Sequence, residues 1–105
     1  MMDDRELLKL AAKAAGIQLN NAAMQTMYMG DDGQWVFWNP LKDDGDALRL
    51  AVKLHIDIYT PDRDGRVGVL TPECEEVYEP EGVDACAAVR RAIVRAAAAI
   101  GEPMP

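Results

Sequence analysis

Trp38-Asn39-Pro40-Leu41-Lys42-Asp43-Asp44-Gly45-Asp46-Ala47-Leu48-Arg49-Leu50-Ala51-Val52-Lys53-Leu54 carries the end of one element and the whole of the next. Pro40 pushes Asn39 toward extended geometry and ends a strand. Asp43 stands where a helix N-cap belongs. Asp44 and Asp46 fall in the first turn, where carboxylates stabilise the unpaired amides. Ala47, Leu50, Ala51 and Leu54 then line one face, widened by Leu48 and Val52, with Arg49 and Lys53 opposite. A stripe this broad suits a helix lying flat on a sheet.

The flanks on the N-terminal side repeat this logic. Asp3 and Glu6 have the spacing of a capping box, which starts a helix at Asp3 or Asp4. Leu7, Leu10, Ala11 and Ala14 form its expected buried stripe, with Leu8 and Ala15 at the edge. Gly16 ends it in the left-handed conformation, and Ile17 folds back onto the last turn. The runs Met24 to Met29 and Gln34 to Trp38 read as strands around Gly30-Asp31-Asp32-Gly33, a hairpin turn. Trp35 and Phe37 share one face of the second run, and Val36 and Trp38 the other. A strand apolar on both faces is either covered on two sides or meets a partner.

Beyond the central helix, His55 to Tyr59 alternates, with Ile56 and Ile58 inward and His55, Asp57 and Tyr59 outward. Pro61 to Gly65 reads as a turn and Arg66 to Leu70 as the returning strand. Glu73 to Tyr78 is expected as a further strand. A final helix runs from its cap Asp84 to Ile100. Its expected core face is Val89, Ala92, Ile93, Ala96 and Ile100; Arg90, Arg91 and Arg95 are expected on its wet face. Gly101 is expected to close it, and Pro103 to forbid continuation.

The order α-ββ-α-ββ(β)-α predicts an α+β domain. Its expected form is a mostly antiparallel central sheet of about four to five strands packed with three helices. The two-sided apolar strand around Trp35 favours helices on both faces, a three-layer α/β/α sandwich.

At 105 residues with half of them apolar, the chain is expected to form one domain, residues 1–105, with a core that needs neither disulfide nor metal. Cys74 and Cys86 make no CxxC pair, and the lone His55 leaves no Cys/His zinc set of the usual spacing. No cofactor is expected. No apolar run approaches the roughly 20 residues that a membrane helix needs. The acidic start, Met1 to Glu6, is unlike a secretory signal, so a cytoplasmic location is expected and the cysteines are expected as reduced thiols. The net charge of −7 argues against nucleic acid as a partner, because phosphate binding needs clustered Lys and Arg. The charge is uneven: six acids and no base from Glu73 to Asp84, then three arginines and no acid from Ala85 to Ile100.

The Trp38-to-Val52 motif, Asp4-Arg5-Glu6-Leu7-Leu8 with Ala11 to Gly16, and Arg90 to Ala98 together resemble a family of small phage and prophage proteins with an ABA-sandwich domain. Lys42 stands where that family more often has Thr. The resemblance implies a phage or prophage origin, a sheet between helical layers and a bacterial host cell. It implies no activity and no catalytic residue.

Candidate sites are few. Asp43, Asp44 and Asp46 could bind Mg²⁺ or Ca²⁺, but helix capping is the favoured reading, since it explains acids at a helix start without any ligand. Asp62, Asp64 and Gly65 read as a hairpin turn rather than half of an EF-hand loop. His55 and Asp57 could form an acid/base pair on one strand face, but no serine occurs in the chain and no nucleophile has a defined partner. Trp38, Trp35 and Tyr28, with Phe37, could make a partner-binding surface, with core packing as the ordinary fate of such aromatics. Arg90, Arg91 and Arg95 form a candidate basic patch, with a solvated face paired to Glu73–Glu81 as the plainer reading. The expectation is a non-catalytic phage or prophage accessory protein acting through an unknown protein partner, with a second copy of itself among the options. The alternatives are a metal-dependent enzyme using the Asp43/Asp44/Asp46 cluster and an acidic nucleic-acid mimic that inhibits a host protein.

Overall fold

The computed structural model describes residues 2–20, 26–59 and 65–105. The elements are α1 (Asp4–Ala15), β1 (Met27–Met29), β2 (Trp35–Phe37), α2 (Asp44–Leu54), β3 (Asp57–Tyr59), β4 (Arg66–Leu70), β5 (Glu76–Pro80) and α3 (Ala85–Gly101). The α+β class and the order α-ββ-α-βββ-α agree with the sequence. Among the described residues the five strands do not form one sheet: β1 and β2 make a two-stranded antiparallel ribbon, and β3-β4-β5 a separate antiparallel sheet.

Each helix begins as its caps dictate. Asp3, Asp43 and Asp84 accept hydrogen bonds from the backbone N–H groups of Glu6, Asp46 and Ala87. Gly16 is left-handed at φ 72°, and Ile17 N–H returns to Ala12 C=O at 2.8 Å, which closes α1 as expected.

The layers differ from the expected sandwich. Helix α3 packs on β4 and β5 with one side and against α1 with another, and α2 lies against α3. The order is therefore sheet, then α3, then α1, with the helices on one face of the three-stranded sheet. Val67 and Val69 of β4 point to that face and are fully buried. The opposite face presents Tyr59, Arg66 and Tyr78, with the Arg66 guanidinium 4.8 Å from the Tyr78 ring centre. Gly68 sits beneath that ring, and a Cβ there would fall 2.7 Å from it.

A central helix is buried on more than one side, which explains the alanines of α3: Ala88, Ala92, Ala96, Ala97 and Ala98 are all buried, as are Ile93 and Val94. Val89 and Ile100, expected in the core, are only partly buried. The stripe of α1 is rotated likewise, because α1 meets a helix rather than a sheet. Leu7, Leu8, Ala11, Ala12 and Ala15 are buried, while Leu10 and Ala14 lie at the margin. On α2 the core set is Ala47, Leu50 and Ala51; Leu48 and Val52 are 57% and 67% exposed rather than packed on a sheet.

Gly101 is not the left-handed terminator that the sequence suggests. It is the last residue of the helix, without positive φ, and a Cβ on it would lie 2.1 Å from the Leu10 carbonyl oxygen. Its missing side chain lets α1 and α3 touch backbone to backbone. Pro103 follows the αR cap Glu102.

His55 is also placed differently. It is the left-handed cap of α2, at φ 56° and ψ 44°, and β3 begins at Asp57, so His55 and Asp57 do not alternate along a strand. Ile56 N–H reaches Ala51 C=O at 2.9 Å, which completes the type of helix stop that glycine usually serves. His55→Gly is therefore expected to stabilise the protein by roughly 0.5–1 kcal/mol. That is the left-handed penalty of about 1–2 kcal/mol less the freedom glycine gains in the unfolded chain. Urea denaturation with an unchanged slope checks it.

The last strand starts at Glu76, later than the expected Glu73. Residues 71–75 form the β4–β5 connection instead, with Cys74 N–H bonded to Thr71 C=O at 2.9 Å and Cys74 left-handed at φ 66°. The turn Pro61–Gly65 lies outside the described residues except for Gly65, as does the start of the first expected strand.

Candidate functional site

The Trp38-Asn39-Pro40 stretch is a mount. Trp38 is 4% exposed and Pro40 fully buried. Trp38 N–H donates to Thr26 C=O at 2.9 Å, and the Thr26 hydroxyl donates to the Trp38 carbonyl, so both strands of the ribbon end in one clamp. Asn39 accepts from Leu41 N–H through its side chain at 3.1 Å and donates its own N–H to Asp46 Oδ2 at 3.0 Å. Trp38 is thus a core residue, not a partner-binding surface.

The three aspartates after the proline do separate jobs. Asp43 caps α2, accepting from Asp46 N–H at 2.8 Å. Asp46 is buried, holds Asn39 with one oxygen and receives Arg49 Nη2 on the other at 2.7 Å. That hydrogen bond raises the Arg49 pKa further above its ordinary value. Asp44 pairs with Arg90 Nη1 at 2.6 Å. Among the described residues, no group of three or more His, Cys, Asp or Glu side chains is placed to share a metal ion.

The three arginines of α3 are fasteners rather than one solvated patch. Arg90 donates Nε to the Leu41 carbonyl at 2.9 Å and pairs with Asp44, tying α3 to the start of α2. Arg91 reaches Asp4 at 3.1 Å, at the start of α1. Arg95 donates to the Tyr78 carbonyl at 3.1 Å and pairs with Glu79, holding β5. Each arginine bridges to a different element, and Arg95 alone meets the acidic 73–81 segment. Arg90→Met keeps the aliphatic stem and removes both polar contacts. It is expected to cost about 1–2 kcal/mol, with the Leu41 carbonyl left without its donor. Asp44→Asn, at an exposed position, is expected to cost under about 1 kcal/mol. Thermal unfolding of the pair separates the two contributions.

On the sheet's outer face the Tyr78 hydroxyl donates to Glu76 at 3.0 Å, which together with burial pushes its pKa above the usual tyrosine value. Cys74 and Cys86 are free and exposed.

The aromatics that remain on the surface belong to the ribbon. Register pairs Met27 with Phe37, Tyr28 with Val36 and Met29 with Trp35. Met27, Met29, Trp35 and Phe37 therefore share one face, with Trp35 51% and Phe37 65% exposed. Tyr28, on the other face, is half-buried and packs against the core. Contiguous exposed aromatics on a mounted ribbon mark a contact surface more strongly than scattered ones. At the ribbon's base a groove of about 480 Å³ runs between Phe37 and Arg5, Leu8, Leu41 and Lys42. A second groove, about 360 Å³ and almost wholly apolar, lies between α2 and α3 over Leu48, Ile58, Cys86 and Val89. Sequence reasoning missed it, because the exposure of Leu48 and Ile58 follows from α2 packing on α3 rather than on the sheet.

Among known proteins, no family model matches this chain, and neither a curated protein nor a solved structure matches it.

Proposed function

We propose that this chain is a non-catalytic accessory protein whose contact element is the β1–β2 ribbon. The observation that carries the reading is the pair Trp35 and Phe37, exposed on a ribbon whose root, Trp38, is locked into the core. Aromatic side chains on a rigid mount give large contact area at low ordering cost, which is the composition of binding hot spots. A hairpin of two three-residue strands is marginal in water by itself, so its retention with an apolar outer face favours a partner that extends or covers it. The phage or prophage setting, and with it the interior of a bacterial host cell, rests on the sequence resemblance. No described helix is long and apolar enough to cross a membrane. Asp43, Asp44 and Asp46, each engaged within the fold, give the metal-enzyme reading no support beyond their residue type.

A photocrosslinking residue at position 37 tests the proposal in cells. Covalent adducts at 37, and none with the same residue at position 59 on the outer sheet face, are the expected result. Equal labelling at both sites, or none at 37, overturns it.

A further inference from the structure

We propose that the partner of the ribbon is the ribbon of a second copy of this chain, joined edge to edge through β2; this rests on the contact reading above. The register of the ribbon fixes what its free edge offers. Trp38 N–H bonds Thr26 C=O, and Gly30 N–H bonds Gln34 C=O at 2.8 Å. In an antiparallel pair such bonded positions alternate, so the next falls at Tyr28 and Val36. The N–H and C=O groups of Trp35 and Phe37 therefore point away from β1, and among the described residues nothing pairs with that edge.

Edges of this kind are ordinarily protected by charge, proline or a bulge. The other sheet follows that rule: its edge strands carry Asp57 on β3, and Glu76, Glu79 and Pro80 on β5. Strand β2, Trp-Val-Phe, has none of these. Its edge is also self-complementary. A two-fold axis beside Val36 sets Trp35 opposite Phe37 of the second copy, and Phe37 opposite its Trp35. Both residues of each such pair present outward N–H and C=O groups, so the pairing makes four backbone hydrogen bonds and two cross-strand aromatic contacts. Two marginal ribbons become one four-stranded sheet.

Charge favours the same occupant. The ribbon tip carries Asp31 and Asp32, both exposed, and the charged residues lining the groove at its base are Arg5, Lys42 and Asp4, of which Asp4 is already paired with Arg91. Arg5 and Lys42 have no ion pair among the described residues. Antiparallel pairing brings the acidic tip of one copy beside the basic base of the other, twice per dimer. The net charge of −7 on each copy opposes association in general, so this local complementarity also fixes the orientation.

Sedimentation of the full chain over a concentration series is expected to show a monomer–dimer equilibrium. Two double variants then test the geometry: Asp31→Lys with Asp32→Lys at the tip, and Arg5→Glu with Lys42→Glu at the base. Each alone is expected to weaken dimerisation at least tenfold while keeping the wild-type circular dichroism spectrum. Mixed in equal amounts they restore both complementary contacts and are expected to form a one-to-one heterodimer. A wild-type chain that stays monomeric throughout, variants that dimerise as well as wild type, or a mixture that fails to recover each overturns the proposal. The position-37 adducts separate this failure from failure of the contact reading. Adducts of twice the chain mass support the second copy; adducts solely with a different protein overturn it and leave the contact surface standing.

Discussion

Gly101→Ala is expected to destabilise the protein by about 3 kcal/mol, the upper range for forcing volume into a packed contact. The new methyl group would meet the Leu10 carbonyl oxygen at 2.1 Å, and that oxygen belongs to backbone, which cannot swing aside as a long side chain would. Relief requires α1 and α3 to separate along an extensive helix–helix contact. Helix propensity alone gives the opposite sign, since alanine is favoured over glycine by about 1 kcal/mol inside a helix. The direction of the change therefore decides between a close approach and an ordinary helical position. Gly16→Ala is the useful comparison: its Cβ meets nothing within 4 Å, and the cost there is the left-handed penalty of about 1 kcal/mol. Thermal unfolding should show a fall of more than about 10 °C for Gly101→Ala and a few degrees for Gly16→Ala.

Trp38→Ala is expected to cost about 3–5 kcal/mol, the range for deleting a buried aromatic side chain. Trp38 lies within the principal hydrophobic cluster and anchors both the end of β2 and the Thr26 clamp. Its loss removes core volume and releases the ribbon. Trp35→Ser, only three residues earlier, is expected to cost about 1 kcal/mol, because its ring is half exposed and loses mainly its cross-strand contact with Met29. Tryptophan fluorescence gives an independent check. With Trp35 removed, the remaining emission comes from Trp38 and should move to shorter wavelength; with Trp38 removed it should move to longer. If the two variants destabilise equally, the assignment of one tryptophan to the core and the other to the contact surface fails.

The contrast between these tryptophans shows where sequence reasoning stops. Trp35, Phe37 and Trp38 share one short run, and alternation correctly separates their faces. Alternation does not say which face meets the body of the protein. That depended on Thr26 and Asp46 fastening the chain on either side of Trp38. The arginines of α3 pose the same problem. Their clustering reads as a wet face, yet each is drawn to a different acid or carbonyl: Asp44 and Leu41, Asp4, Tyr78 and Glu79. Those partners are distant in the chain, and no local pattern announces them.

What the sequence determined by itself was local: three capped helices, Gly16 as a left-handed stop, the Asp-Gly hairpin, the strand Arg66–Leu70 and the α+β order. These follow from backbone sterics, orphan amides at helix ends and the periods of apolar residues, all of which act within a few positions. Tertiary structure alone decided that the strands split into a ribbon and a sheet, and that α3 became the central layer. It likewise gave Gly101 to a helix crossing and turned Trp38 inward while Trp35 and Phe37 stayed exposed. Those outcomes depend on which apolar faces meet and how closely their backbones can approach. Such choices are made between distant segments, where alanine and glycine differ from larger residues by what they leave out.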